Sequence, residues 1–224
     1  MNSNIGASAQ SLRALDYLNV FLADVRDGVG PYLAIYLLAT HHWDAASIGI
    51  AMSAMGVATV AAQTPCGALL DWFTHKRLLV VAAALLVGIS CTAMTVFPSF
   101  GFILAAQALN GVAAAIFPPA IATITLGMVG PKRFARRMGR NEAFNHAGNV
   151  GAALLAGSAG YLLGRQWIFY LVAAIAVASI VSALLIKEED IDHRLARAEA
   201  TEADRGGDAV SGIRAVFARR ELVV

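Results

Sequence analysis

Asp24, Arg26 and Asp27 stand together inside a mostly apolar stretch that also holds Asp16. An ionised side chain in hydrocarbon costs ~2.5–3.5 kcal/mol on insertion scales, so three together imply a use or an aqueous cavity. Asp24 and Asp27 are three residues apart and share a helix face, with Arg26 pointing to the side. A carboxylate withdrawn from water holds its proton more readily, so the group suits solute binding or proton loading. The plainer alternative is an internal ion pair that joins helices. Gly28, Gly30 and Pro31 follow at once and loosen the helix beside the charges. Gln107 and Asn110 form a second polar group, followed by Pro118 and Pro119. A third comprises Glu142, Asn145, His146 and Asn149. Glu142 and His146 are four apart and suit a pair or a shared proton, but two ligands do not make a zinc site. His41, His42 and Asp44 read as a solvated loop with a helix cap. No metal or cofactor is implied. No phosphate-cradling loop points to ATP, and no nucleophile–base pair points to an enzyme.

The elements that must carry these residues are membrane helices. Of the 224 residues, 58% are hydrophobic and 14% charged. Soluble domains are ~25% charged, so the composition points towards lipid. A spanning helix needs ~20 mostly apolar residues. Six such runs lie near 14–40, 46–70, 78–97, 101–129, 141–164 and 167–186. The opening stretch is polar and uncharged, unlike a cleaved signal, and the first run reads as a retained span. Runs three and six lack charge and read as lipid-facing, whereas runs one, four and five read as inward-facing. Cys66 and Cys91 lie within runs and read as small buried residues.

Basic residues gather on the cytoplasmic side of a membrane. Arg13, Lys76, Arg77, Lys132, Arg133, Arg136, Arg137 and Arg140 all fall on one side if the N-terminus is inside, and Arg165 alone falls on the other. The expected arrangement is a cytoplasmic N-terminus over 1–13, a six-helix bundle over 14–186, and a cytoplasmic segment over 187–224 with an amphipathic end. Both termini face the cytoplasm, and the expected location is the plasma (inner) membrane. The net charge of +2 offers nothing to nucleic acid.

Small residues recur at every fourth position in run five: Gly148, Ala152, Ala156, Gly160 and Gly164. They let a neighbouring backbone come close. Runs one and four each open a group of three that closes on an apolar helix, which suggests a three-plus-three repeat.

The link between runs two and three reads Gly67-Ala68-Leu69-Leu70-Asp71-Trp72-Phe73-Thr74-His75-Lys76-Arg77. It resembles the loop G-x-x-x-D-x-x-G-R-R/K of the major facilitator superfamily. Gly67, Asp71 and Lys76 match, while Thr74 stands in place of the second glycine and His75 in place of the arginine. Gln107 to Ala114 resembles the fourth-helix motif R-x-x-Q-G-x-g-a, with Gln107 in place of the arginine and Asn110 in place of the glutamine. The Gly-Pro antiporter motif of the fifth helix is absent. The resemblance implies half of a twelve-helix, all-α fold and secondary transport of a small solute by alternating access. It implies that Gly67, Asp71, Lys76 and Arg77 belong to an inner gate, with Gly67 permitting close helix contact. The expected substrate or proton site is Asp24, Arg26, Asp27, Gln107 and Asn110. The expected partners are the bilayer, a small-molecule substrate, and a C-terminal half or a second copy. The alternative is a non-transporting six-helix membrane protein, acting as a homodimer, an assembly partner or a remnant. The mixed charges leave substrate, direction and coupling ion open.

Overall fold

The computed structural model describes residues 7–27, 29–193 and 195. Among them are seven α-helices, one short 3-10 turn and no strand. The helices are α1 (Ala9–Asp27), α2 (Gly30–His41), α3 (Ala45–Trp72), α4 (Lys76–Val96), α5 (Phe100–Val129), α6 (Pro131–Leu162) and α7 (Gln166–Leu185). The expected amphipathic segment at 213–224 lies outside the described residues.

The first run is two helices rather than one. Gly30 has φ +28°, a conformation that favours glycine, and Pro31 follows in the first turn of α2, where a missing N–H matters least. The loosening expected from glycine and proline is thus a full break between α1 and α2. The segment ends at His42 (φ 57°), and Asp44 caps α3, its carboxylate accepting from the Ser47 amide at 2.9 Å and the Ser47 hydroxyl at 2.6 Å. Helix α6 begins ten residues before the apolar run suggests. Gly130 (φ 71°) turns the chain and Pro131 starts the helix, so the basic residues from Lys132 to Arg140 form its first turns. Apolarity marks only the part of a helix suited to lipid, whereas this Gly-Pro pair marks where the helix starts.

Helix α3 packs on α5, α4 on α5 and α7, and α1 on α6 and α7. Leu15, Leu18, Met94, Ile103, Phe117 and Phe169 are fully buried at these contacts. Two glycines allow the closest approaches. A Cβ at Gly111 would overlap the Met55 carbonyl, and one at Gly148 would overlap the Val20 carbonyl. The small-residue stripe of α6 is therefore used within the chain. Gly148 meets α1, Ala152 and Ala156 are buried, and a Cβ at Gly160 would come within 2.9 Å of Ile168 on α7. Gly164 is not part of the stripe, because α6 ends at Leu162 and Gly164 (φ 110°) turns the chain into α7.

The outer surface is apolar. Val57, Val60, Ile89, Leu154 and Leu184 are exposed, an arrangement suited to hydrocarbon rather than water. Helices α3, α4, α5 and α7 are each long and apolar enough to cross a membrane.

Candidate functional site

A cavity of about 620 Å³ lies where α3, α5 and Arg26 of α1 meet. Its walls include Met52, Met55, Thr59 and Gln63 from α3, and Pro118 and Pro119 from α5. Beside it is the tight crossing at Gly111, where the Thr59 hydroxyl bonds both its own helix (Met55 O, 2.8 Å) and α5 (Gly111 O, 3.0 Å). A smaller cavity of about 80 Å³ lies between α1, α5 and α6, and Asn19, Glu142 and Asn145 line it. Arg26 and Pro118 line both. Arg26 is exposed towards these spaces, and among the described side chains it forms no ion pair.

The other expected site residues lie elsewhere or apart. Asp24 is half-buried and Asp27 ends α1, the latter placed by its backbone alone. Gln107 and Asn110 are buried and line neither cavity. Asn110 accepts a short hydrogen bond from the Ser90 hydroxyl, which ties α5 to α4. Glu142 accepts from Asn145 Nδ2 at 3.3 Å, and His146 is exposed. Cys66 and Cys91 are free and buried.

At the end of the bundle that carries most of the basic residues, two charge clusters tie helices together. In the first, buried Asp16 of α1 accepts from Arg137 at 2.8 Å and from Arg140 at 2.8 and 3.0 Å, both on α6. Arg137 also bonds Leu12 O and Asn141, and Asn141 donates to Thr125 of α5 at 2.9 Å. In the second, the segment after α7 folds across the ends of three other helices. Glu188 forms a close ion pair with Arg77, and its other oxygen lies 3.1 Å from His75 and 3.2 Å from His193. Asp190 accepts from the Ser8 hydroxyl at 2.5 Å, the Lys187 amide donates to Ser11 at 3.0 Å, and the Asp192 amide donates to Gly127 O at 3.0 Å. Ile191 is buried against Gly127.

A family model described as the Major Facilitator Superfamily matches residues 15–223. The chain belongs to the major facilitator superfamily. Among its relatives are proteins named uncharacterized MFS-type transporters in Mycobacterium tuberculosis strains CDC 1551 / Oshkosh and H37Rv. Each is 54% identical over 185 residues, which is 83% of this chain and 44% of the relative. The chain therefore spans less than half the length of these relatives. It is a multi-pass membrane protein of a family whose members are generally not enzymes.

In this facilitator chain the loop motif is partly in contact with the bundle. Lys76 is buried and donates to Leu70 O, and Arg77 holds Glu188 and, at 2.6 Å, Ile186 O. Asp71 is placed by its backbone alone. The close helix contact expected at Gly67 is not made among the described residues, since a Cβ there would meet nothing within 4 Å; Gly67 instead lines the larger cavity. Sequence reasoning missed Glu188, whose position just after the last apolar run was the available signal. It also missed Met52, Met55 and Gln63, which carry no charge to mark them.

Glu188→Ala should release the segment that follows α7. Amide hydrogen exchange at residues 187–192 is expected to rise about tenfold, as loss of a charge-assisted contact typically gives, while exchange in the middle of α5 stays unchanged. Unchanged exchange at 187–192 would show that Arg77 does not hold the segment. Acidification should act on the neighbouring tie. Burial pushes the Asp190 carboxyl up, but hydrogen bonds from Ser11 and Ser8 outweigh it and leave the pKa below the usual aspartate value. The tie is then fully present above the ordinary aspartate pKa and is lost as pH falls through the lowered one.

Proposed function

We propose that the chain is half of a secondary transporter that moves a small solute by alternating access. The observation that carries this is the pair of cavities that share Arg26, lined by α1, α3, α5 and α6 in a protein of a transporter family. In this reading α1 with α2, and α6, also cross the membrane, giving six spans. The helix pairing supports a three-plus-three repeat. Exchanging α1/α2, α3 and α4 with α5, α6 and α7 converts the α3–α5 contact into α6–α1 and the α4–α5 contact into α7–α1, and it maps α4–α7 onto itself. The basic end faces the cytoplasm, by the placement of Lys and Arg, and the membrane is the plasma membrane. Arg77, Lys76, Asp71 and Gly67 belong to the inner gate, and Glu188 holds it. The central cavity is completed by a second six-helix unit, either the length present in the relatives or a second copy. Arg26 lines the solute path with Asp24 and Asp27 beside it on α1, while buried Gln107 and Asn110 lie between the helices that form it.

The test is accessibility from each side. With Met55→Cys in sealed vesicles of the chain together with its completing unit, alternating access predicts labelling from both faces by an impermeant thiol reagent. Adding solute to one side should shift the balance between them. Labelling from one face alone, unmoved by any solute, would identify a non-transporting protein. Asp24→Asn or Asp27→Asn in that assembly should abolish uptake with insertion intact, and unchanged uptake in both would remove the carboxylates from the path.

A further inference from the structure

Three features of the larger cavity bear on what it holds. First, Arg26 is the one charged side chain in its lining among the described residues. An arginine fork fits a carboxylate through two parallel hydrogen bonds and is fully charged at any ordinary pH. Second, Pro118 and Pro119 have no N–H to give to the carbonyls one turn back, and those carbonyls belong to Ala114 and Ala115. Both alanines line the same cavity. Two consecutive prolines thus leave two adjacent acceptors without their helical donors at the wall. Third, Met52 and Met55 form an apolar, adaptable surface, of the kind that accommodates aliphatic or aromatic bodies. At about 620 Å³ the space is of small-molecule size.

We propose that this cavity takes a small organic carboxylate that also carries a hydrogen-bond donor beside it, as a 2-hydroxy or 2-amino acid does. The carboxylate meets Arg26, the donor meets the carbonyls of Ala114 and Ala115, and the apolar remainder lies against Met52 and Met55. The chemistry is complementary on both counts. A cationic solute would meet Arg26 with no acid in the lining among the described residues to offset it, and a carboxylate without a donor would leave the two carbonyls unsatisfied. This assigns a solute class to the transport reading and rests on it for purpose. The binding chemistry is read at equilibrium, with no transport required, so the two stand or fall by separate measurements.

The experiment uses the 224-residue chain in lipid nanodiscs, with Cys66→Ala and Cys91→Ala to leave one reporter, Met55→Cys. Anionic and cationic methanethiosulfonates of similar size are compared. A single unopposed arginine at cavity distance predicts about tenfold faster reaction with the anionic reagent. The ratio should fall to about one in Arg26→Gln and persist in Arg26→Lys. Mandelate, phenylacetate and phenethylamine are then tested for protection of the reporter. Mandelate should protect at about tenfold lower concentration than phenylacetate, the worth of one good hydrogen bond, and phenethylamine should not protect. Arg26→Gln should abolish protection by both acids. Gln63→Cys serves as a second reporter should Met55→Cys fold poorly. A reagent ratio near one in the parent, as neutralisation by Asp27 would give, overturns the proposal. So does protection by the amine, or equal protection by mandelate and phenylacetate.

Discussion

Gly148→Ala is expected to prevent α1 and α6 from closing on each other. The added Cβ would occupy the position of the Val20 carbonyl, and neither helix backbone can yield locally. Overpacking a core ordinarily costs about 1–3 kcal/mol, and a clash with backbone lies at or above the top of that range. The same substitution at Gly151, on the same helix, would meet nothing within 4 Å. The pair forms a matched comparison in thermal unfolding and size-exclusion chromatography. Gly148→Ala should lose most of its monodisperse protein while Gly151→Ala keeps it. Equal behaviour would show that α1 and α6 are further apart than the contact at Val20 requires.

Asp16→Ala should be nearly as damaging, through charge rather than volume. It leaves the buried guanidinium of Arg137 without its acid, and breaking a buried pair costs about 3–5 kcal/mol. Arg140 is half-exposed at the same carboxylate and can turn to water, so Arg140→Ala should have a small effect. The double variant Asp16→Leu with Arg137→Met removes both charges from the buried space and should recover most of the lost stability. Failure to recover would show that Asp16 acts through Arg140 or that Arg137 is needed for its bonds to Leu12 and Asn141. Chemical unfolding in detergent micelles supplies the comparison.

Much of the helix plan was legible because it follows from solvent. Apolar runs locate α3, α4, α5 and α7 closely, since each must suit hydrocarbon along its whole length. The break at Gly30 was foreshadowed by glycine and proline, but its completeness was not, because a kink and a gap use the same residues. The start of α6 was missed because hydropathy is silent about helix that lies beyond the apolar layer. At the candidate site the charge of Arg26 could be seen in sequence, and the structure sets it at the junction of two cavities. Gln107 and Asn110 drew attention for their polarity, yet a buried amide serves equally to hold helices together, as Asn110 does with Ser90. Only the rotation of α5 separates those uses. The ion pair of Arg77 and Glu188 joins residues 111 positions apart, and no local pattern announces such a contact.

The contacts of α1 bear on biosynthesis. Its main packing partners are α6 and α7, the last of the described α-helices to be translated. Asp16 is translated 121 residues before the arginine it pairs with, and Ser8 is translated 182 residues before Asp190. The first helix must therefore wait with its acid unmatched while four further helices are made. During that interval the charge is left to water, to the translocation machinery, or to a chaperone that shelters it. A ribosome stalled between α5 and α6 would leave this carboxylate unpaired, a feature by which a quality-control protease could distinguish an unfinished bundle from a finished one.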